Sequence, residues 1–249
     1  MVDRHYPRAP ITEALIDLQV EFASAPSAEE FGSFAHDLVD RFPTSSPIHF
    51  FQMNFNGSPD GAPPSLQSGV SDVGVRLTSA TSDRVLQIQR RGFTYSHMAP
   101  YTRWDTFCDE TKGLWGQFVG RFRPTAVTRA AVRYINRIVI RAPSADIKEY
   151  FRLYPCVPDD IPQTITGSYM QIVMPQPDIG ESASAVVNFA LEPKSDPGTL
   201  SFLLDFDVFS TCRLGPGSDE VWDTLSRLRT KKNELFEASI TDPARELFK

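Results

Sequence analysis

The sequence predicts an α+β protein made of two pseudo-symmetric halves that share an antiparallel sheet with helices on one face. Segments in which apolar and polar residues alternate are typical of half-buried strands. Amphipathic helices separate groups of such strands instead of following every strand, which favours antiparallel pairing over a wound parallel sheet. The order strand, helix, three strands, helix occurs twice within the 249 residues. We therefore expect halves over residues 1–122 and 123–249 that form one continuous unit.

The first half opens with alternating residues over 10–22, which predict a strand. Ser27 is suited to cap the helix that follows, and Pro43 ends it. Residues 56–72 are rich in Gly, Pro and Ser and are expected to be a loop. The other elements of this half are expected to be strands over residues 49–55, 73–79 and 84–98, the last bent at Gly92, and a helix over residues 104–121.

The second half repeats this order after Pro124. Trp104 and Trp222, each near the start of a long helix, are 118 positions apart, and the second strands of the two halves are offset by 119. Similar offsets at separate elements are what a duplicated unit would leave. The second half is expected to contain a long strand over residues 125–141, a short helix over residues 146–153, strands over residues 168–174, 185–191 and 200–209, and a long helix capped by Ser218 or Asp219.

The C-terminal segment, residues 232–248, is expected to be structural. Its apolar side chains are too numerous to lie together in water. Thr241 followed by Asp242 and Pro243 predicts one further short helix. Burial is expected either within this chain or against a second copy, and the second case would make the protein a homodimer.

The charge balance and the cysteines restrict the class of protein. The 25 Lys and Arg residues against 31 Asp and Glu residues give a net charge of −6, which argues against a general binder of nucleic acid or of membrane surfaces. The three widely spaced cysteines form neither a disulfide framework nor a CxxC pair. The N-terminal residues lack the apolar region of a secretion signal, and no apolar run is long enough to cross a membrane. We expect a soluble cytoplasmic protein.

The residues that alternate with the apolar ones are expected to lie on the open face of the sheet, opposite the helices, and to make that face strongly polar. One interpretation is a solvated ladder of cross-strand ion pairs. The other is a recognition surface for an acidic or planar polar ligand, because guanidinium groups bind carboxylate and phosphate with two hydrogen bonds. Tyr134 and Asn136 are expected to face the core instead. The open-face set is Glu13, Asp17, Glu21, Gln52, Asn54, Gln87, Gln89, Arg91, Arg129, Arg133, Arg137, Arg141, Asp205 and Asp207.

No common catalytic or cofactor motif occurs in the chain. The patterns GxxxxGK[ST], GxGxxG after a strand, GxSxG and HExxH are absent, so we expect no phosphate loop, dinucleotide site, nucleophile elbow or zinc protease. The four histidines lack metal-ligand spacing, and we expect neither a metal nor a cofactor. Asp205 and Asp207 share a strand face and could act as a carboxylate pair, although pairing with arginine is the simpler interpretation.

Two resemblances accompany these patterns. The order of elements resembles the TATA-box-binding-protein-like fold, in which two such halves join into one curved sheet. The segments APITEALIDLQVEF, YTRW, VRYINRIVI, LLDFDVF and KNELFEASITDPARELF together resemble a sporadically distributed family of uncharacterised bacterial proteins, in the same order and over nearly the whole chain. This second resemblance implies a full-length bacterial protein with an accessory role, such as defence or a toxin and antitoxin system. It implies no activity, cofactor or catalytic residue.

The leading hypothesis is a non-enzymatic module that binds a polar or anionic ligand, or a protein partner, on the open face or in the cleft between the halves. The alternative is an enzyme of unfamiliar type acting on a phosphorylated or nucleotide-like substrate, in which arginines hold the anion and one aspartate is the acid or base. Nucleic-acid binding is a third hypothesis, which the arginines favour and the net charge opposes. The candidate binding residues are Gln87, Gln89, Arg91, Arg129, Arg133, Arg137, Asp205 and Asp207.

Overall fold

The computed structural model describes residues 6–56, 65–193, 196 and 198–249, with side chains described outside residues 50–73. The strands are β1 (Ile11–Glu21), β2 (Thr44–Asn56), β3 (Ser65–Thr78), β4 (Arg84–Gln89), β5 (Gly92–Met98), β6 (Ala126–Ile140), β7 (Ser168–Pro175), β8 (Ala183–Leu191) and β9 (Leu200–Leu214). The helices are α1 (Ala28–Asp37), α2 (Trp104–Phe122), α3 (Ile147–Tyr150), α4 (Glu220–Ser239) and α5 (Asp242–Glu246).

The nine described strands belong to one sheet, in the order β2-β3-β4-β5-β1-β6-β9-β8-β7. Every neighbouring pair is antiparallel, so the prediction of an α+β protein with an antiparallel sheet is confirmed. The strands that open the two predicted halves, β1 and β6, pair along the centre with Leu15 opposite Arg133. The two edges of the sheet are β2 and β7.

Residues 84–98 depart from the prediction of a single bent strand. They form a hairpin of β4 and β5, and Arg90 and Arg91 make the turn. Two arginines lack the Asn-Gly signal of a tight hairpin, so the alternating pattern hides the reversal. Gly92 packs closely against β1, because a Cβ there would lie 2.6 Å from the carbonyl oxygen of Leu18. The first half therefore has four strands between its two helices, where the sequence predicts three.

Two other boundaries differ from the sequence reading. β3 begins at Ser65, inside the segment 56–72 that the sequence predicts as a loop. Residues 57–64 of that segment lie outside the described residues. β6 ends at Ile140, so Arg141 follows the strand and does not lie on its face.

The helices cover one face of the sheet, and the hydrophobic core lies between the two layers. Ala14, Ile16 and Leu18 of β1 are fully buried, while the residues between them face away from the helices. Phe93 of β5 packs edge-on against Trp115 of α2, with ring centroids 5.5 Å apart. A second apolar cluster joins the end of α4 and α5 to β8 and β9. Each large apolar side chain buried in this way stabilises the fold by about 1.5–3 kcal/mol.

The C-terminal segment folds onto its own chain. Pro243 lies in the first turn of α5, which confirms the predicted short helix. Ile240 and Ala244 are fully buried, and Phe248 is nearly so. Burial within the chain therefore accounts for these three side chains.

Candidate functional site

Three arginines of β6 point to the open face of the sheet, and each binds a carboxylate. Arg129 bridges two acids, donating from Nη1 to Asp17 at 2.8 Å and from Nη2 to Asp207 at 2.9 Å. Its guanidinium carbon also lies 4.4 Å from the ring centroid of Phe209. Asp17 in turn accepts a hydrogen bond from the hydroxyl of Thr94 at 2.7 Å. These contacts hold Arg129 between β1 and β9.

Arg133 forms a two-pronged ion pair with a buried acid. Its Nε and Nη2 donate to the two carboxylate oxygens of Asp205, at 2.8 and 2.7 Å. Asp205 is only 6% exposed, and it also accepts a hydrogen bond from Asn188 at 2.9 Å. The Asn188 side-chain oxygen accepts hydrogen bonds from Tyr169 and Gln171 on β7. Hydrogen bonds thus run across the open face from the central strand to the edge.

Arg137 forms the most exposed of the ion pairs made by these three arginines. Its Nε and Nη2 donate to the two oxygens of Glu192, both at 2.9 Å. Half of the Arg137 side chain is exposed to solvent. The four ion pairs of these three arginines together have the geometry of a cross-strand ion-pair ladder.

Apolar side chains separate the arginines on the open face. Positions 131, 135 and 139 of β6 share that face and carry Ala, Ile and Val. On β9, Leu203 and Phe209 flank the two aspartates along the same face. The open face is therefore less polar than the sequence reading implies. An arginine at every fourth position leaves every second outward position of a strand free for an apolar residue.

The other candidate residues do not meet these arginines. Gln87 and Gln89 lie on β4, and β5 and β1 separate that strand from β6. Three strand spacings amount to about 14 Å. Arg91 lies in the hairpin turn and not on a strand face, which corrects its predicted position. The side chains of Gln52 and Asn54 lie outside the described residues.

The two aspartates of β9 serve as acceptors for the arginines. Asp205 is held by both prongs of Arg133, and Asp207 accepts a hydrogen bond from Arg129. Burial raises the pKa of Asp207, and the positive charges of Arg129 and Arg133 oppose that rise. Both carboxylates are therefore engaged by arginines in this structure.

A cleft of about 490 Å³ lies on the other side of the sheet, between α2 and α4. Its floor is β6, its walls are the start of α2 and the C-terminal half of α4, and the segment before β1 closes one side. This volume lies within the range of small-molecule binding sites. The cationic residues of the lining are Arg103, Arg229 and Lys232.

Lys232 is the most buried charged residue of the lining, at 8% exposure. Its Nζ lies 3.8 Å from the ring centroid of Tyr134, a cation–π contact. The hydroxyl of Tyr134 shares a hydrogen bond of 3.0 Å with the hydroxyl of Tyr101. Burial raises the pKa of Tyr134 well above its ordinary value, so this hydroxyl stays protonated. Asn136 is oriented by hydrogen bonds from its Nδ2 to the carbonyl oxygens of Tyr134 and Leu204.

Two of the acidic residues in the lining are paired with cations that lie outside it. Glu237 pairs with Arg245 at 2.9 Å, and Glu234 pairs with Lys231 at 2.6 Å. Asp105 lies on the exposed rim, in the first turn of α2. The lining therefore contains three cations and three carboxylates, and two of these carboxylates also pair with cations outside it.

A buried histidine packs against one wall of the cleft. His97 of β5 is 3% exposed, and its ring centroid lies 5.4 Å from that of Tyr101. Its Nδ1 is buried and has no hydrogen-bond partner among the described residues. Burial lowers the pKa of His97, the positive charge of Arg84 lowers it further, and Glu110 and Asp83 oppose the shift. The neutral imidazole is therefore the favoured form in the folded protein.

One sequence signal points to the cleft. Lys232 lies on the same stripe of α4 as the buried Leu225 and Leu228, where helical spacing calls for an apolar residue. A lysine at such a position needs polar or aromatic interaction partners inside the fold. The remaining walls come from segments that are far apart in the sequence, so no local pattern predicts them.

Neither a metal-binding group nor a membrane helix is found in the described part of the chain. No three or more His, Cys, Asp or Glu residues there are placed to hold a metal ion. No helix there combines the length and the apolar character that crossing a bilayer requires. In the comparisons with known proteins, no family model matches the chain and no curated protein matches it. The resemblance to a bacterial family therefore stays a prediction.

Proposed function

We propose that the protein is a non-enzymatic binding module that holds a small anionic ligand in the cleft between its halves. The observation that carries this proposal is the set of three cations, Arg103, Arg229 and Lys232, around a cavity of about 490 Å³. Such groups bind carboxylate and phosphate through charge-assisted hydrogen bonds, which are stronger in a partly dehydrated cleft.

The open face supports the choice of the cleft. Its central arginines already hold carboxylates in the geometry that a ligand carboxylate or phosphate would need. A ligand there would have to displace an internal partner that is present at very high effective concentration. The candidate residues Arg129, Arg133, Arg137, Asp205 and Asp207 are on this basis proposed to stabilise the sheet.

An enzyme acting on a phosphorylated or nucleotide-like substrate is the second candidate. The aromatic rings in the lining favour it, since Trp104 lies 5.8 Å from the Arg229 guanidinium and offers a planar surface beside a cation. In this reading, Asp105 at the rim would be the acid or base. Formation of a product would separate this candidate from simple binding.

We also propose that the halves are pseudo-symmetric, as in the TATA-box-binding-protein-like topology, about an axis between β1 and β6. In each half, the first strand pairs with the last strand of that half, and the second strand lies at the outer edge. Each long helix places a cation near a tryptophan ring of the other. Lys112 of α2 lies 5.5 Å from the Trp222 ring, and Arg229 of α4 lies 5.8 Å from the Trp104 ring. The additional strand in the first half is the departure from this symmetry.

The cellular setting is part of the same proposal. We place the protein in the cytoplasm, in an accessory system such as defence, without nucleic acid or membrane as a partner. The net charge of −6 supports the exclusion of polyanions. A small anion is compatible with that charge, because only the local potential of the cleft acts on it at close range.

Thermal-shift and calorimetric titrations with inorganic phosphate, nucleoside monophosphates and dicarboxylates test the proposal. A compound that binds only the folded state raises the Tm. Arg229→Gln and Lys232→Met should each weaken binding of that compound roughly tenfold or more, because each removes one charge-assisted contact. Arg227→Gln on α4 and Lys112→Met on α2 are controls outside the lining, and they should bind like the wild type.

Two results would contradict the cleft as the binding site. In one, none of these compounds raises the Tm of the wild type. In the other, the controls lose as much affinity as the two cleft variants. Release of a new product during the titration, followed by NMR, would favour the enzyme over the binding module.

A further inference from the structure

Strand β7 is an edge of the sheet. It pairs only with β8, and no other backbone hydrogen bond reaches residues 168–175 from the described part of the chain. Its outer row of N–H and C=O groups is therefore available to another strand. Tyr169 and Val173 on this strand are 69% and 62% exposed, although both are large apolar residues.

The strand also lacks the usual protection against pairing. Its sequence, SYMQIVMP, contains no charged residue, and its proline is at the last position. The opposite edge, β2, has Pro47 within the strand, which removes one donor from the ladder. Natural edge strands avoid association through charges, prolines and bulges. The exposed apolar edge of β7 therefore indicates an interaction surface.

The occupant that fits best is a second copy of the same strand. When two β7 strands pair antiparallel about a two-fold axis normal to the sheet, with Gln171 opposite its own copy, Tyr169 lies opposite Val173 on the open face. On the helix-facing side, Met170 then lies opposite Ile172. Aromatic and β-branched side chains stabilise each other when directly opposed in antiparallel strands. Because the strand is uncharged, no like charges meet across the axis.

The position of proline favours this register over the next one. An axis through Ile172 would place Tyr169 opposite Pro175, which has no N–H to donate. An axis through Gln171 leaves Pro175 opposite Gly167, outside the strand. Both registers keep the open faces of the two sheets on the same side. Only the register with its axis through Gln171 pairs the strands without placing Pro175 opposite a strand residue.

Side chains of the edge are already oriented for such a contact. Tyr169 donates its hydroxyl hydrogen to Asn188 at 2.8 Å, and Gln171 donates to the same oxygen at 2.8 Å. Asn188 is itself held by Asp205. This preorganisation lowers the entropy that ordering the edge would cost during association.

We propose that the protein forms a homodimer through β7, in which two nine-stranded sheets become one continuous sheet. The two-fold axis passes through Gln171 of each copy. A single strand pair buries less surface than a permanent dimer interface, so association should increase with protein concentration. This proposal does not depend on the ligand of the cleft, which lies at the centre of the sheet and not at its edge.

A charge swap at the axis tests the proposal. Gln171→Lys and Gln171→Glu each place like charges opposite each other, so each variant alone should sediment as a monomer of about 27.9 kDa. The wild type should approach twice that mass as its concentration rises. An equimolar mixture of the two variants should recover the dimer, because Lys then faces Glu across the axis.

Val139→Lys is the matched control, since it adds the same charge to the open face at a 43% exposed position on the central strand β6. It should dimerise like the wild type, and thermal unfolding of every variant confirms that each is folded. A wild type that stays monomeric at all concentrations overturns the proposal. So does a Gln171→Lys variant that still forms the dimer, or a mixture that fails to recover it.

Discussion

The open face of the sheet and the cleft on its other side contain the same kinds of charged side chain and use them differently. On the open face, Arg129 and Arg133 bind carboxylates at 2.7–2.9 Å. In the cleft, Arg229 and Lys232 line a hollow of about 490 Å³. A guanidinium whose two prongs are filled by a carboxylate has lost the geometry with which it would grip a ligand. We infer that concave volume, more than the number of cations, distinguishes the proposed binding site from the ladder.

The largest effect is expected when the ladder is broken at its most buried acid. Arg133→Ala should lower the free energy of unfolding by about 2–3 kcal/mol, because among the described residues the carboxylate of Asp205 would keep one side-chain hydrogen bond, from Asn188. The Arg133 side chain is 41% exposed, so the loss should stay below that of a fully buried pair. Urea denaturation at neutral pH measures it. A loss under about 0.5 kcal/mol would place this pair with ordinary surface pairs and weaken the contrast with the cleft.

A smaller, pH-dependent effect is expected from the helix side, where a buried nitrogen of His97 has no partner in the described part of the chain. Burial lowers its pKa in the folded state, while the unfolded chain takes up a proton near pH 6.5. Below about pH 6.5 the unfolded state therefore binds more protons, and stability falls until the pH passes the folded-state pKa. The loss is at most about 1.4 kcal/mol per pH unit.

Denaturation of the wild type and of His97→Phe between about pH 7.5 and pH 5.5 isolates this effect. The variant should lose less stability than the wild type over the same interval. The exposed His36 and His49 are present in both proteins and cancel in the comparison. Equal slopes for the two proteins would mean that protonated His97 finds a partner, such as Glu110 or Asp83, in the folded state.

The smallest effect is expected at the exposed end of the ladder. Arg137→Ala should lower the free energy of unfolding by less than about 0.5 kcal/mol, because solvent screens a pair whose arginine is half exposed. Urea denaturation in low and high salt provides the measurement, and added salt should reduce the difference further. A loss as large as that of Arg133→Ala would show that burial does not determine how much each ion pair of the ladder contributes to stability.

Local sequence patterns predict much of the fold. Alternation along β1 predicts which side chains are buried, and Ser27 and Pro243 mark helix starts where the structure has them. The hairpin at Arg90 and Arg91 escapes this reasoning, because its turn residues give no backbone signal. Alternation reports the face on which a side chain lies, and it is silent about chain reversals that preserve the period.

Partners across strands are harder to predict than faces. Arg129 and Asp17 are 112 positions apart, and they meet only because β1 and β6 are neighbours at the centre of the sheet. The cleft depends in the same way on the distance between two helices and a strand. Tyr134 and Asn136 face the helix side as the sequence predicts, but their role as a floor requires the hollow above them.

The contacts between the side chains of the two long helices also determine what the intrinsic tryptophan fluorescence of this protein measures. All three tryptophans of the chain, Trp104, Trp115 and Trp222, lie in α2 and α4. The Trp115 indole donates a hydrogen bond to the carbonyl oxygen of Pro216 at 2.8 Å, and the other two indoles each lie near a cation of the opposite helix. Intrinsic fluorescence therefore reads the seam between these helices. Fraying of the outer strands should leave the tryptophan emission unchanged. A change in emission therefore marks separation of the helical layer.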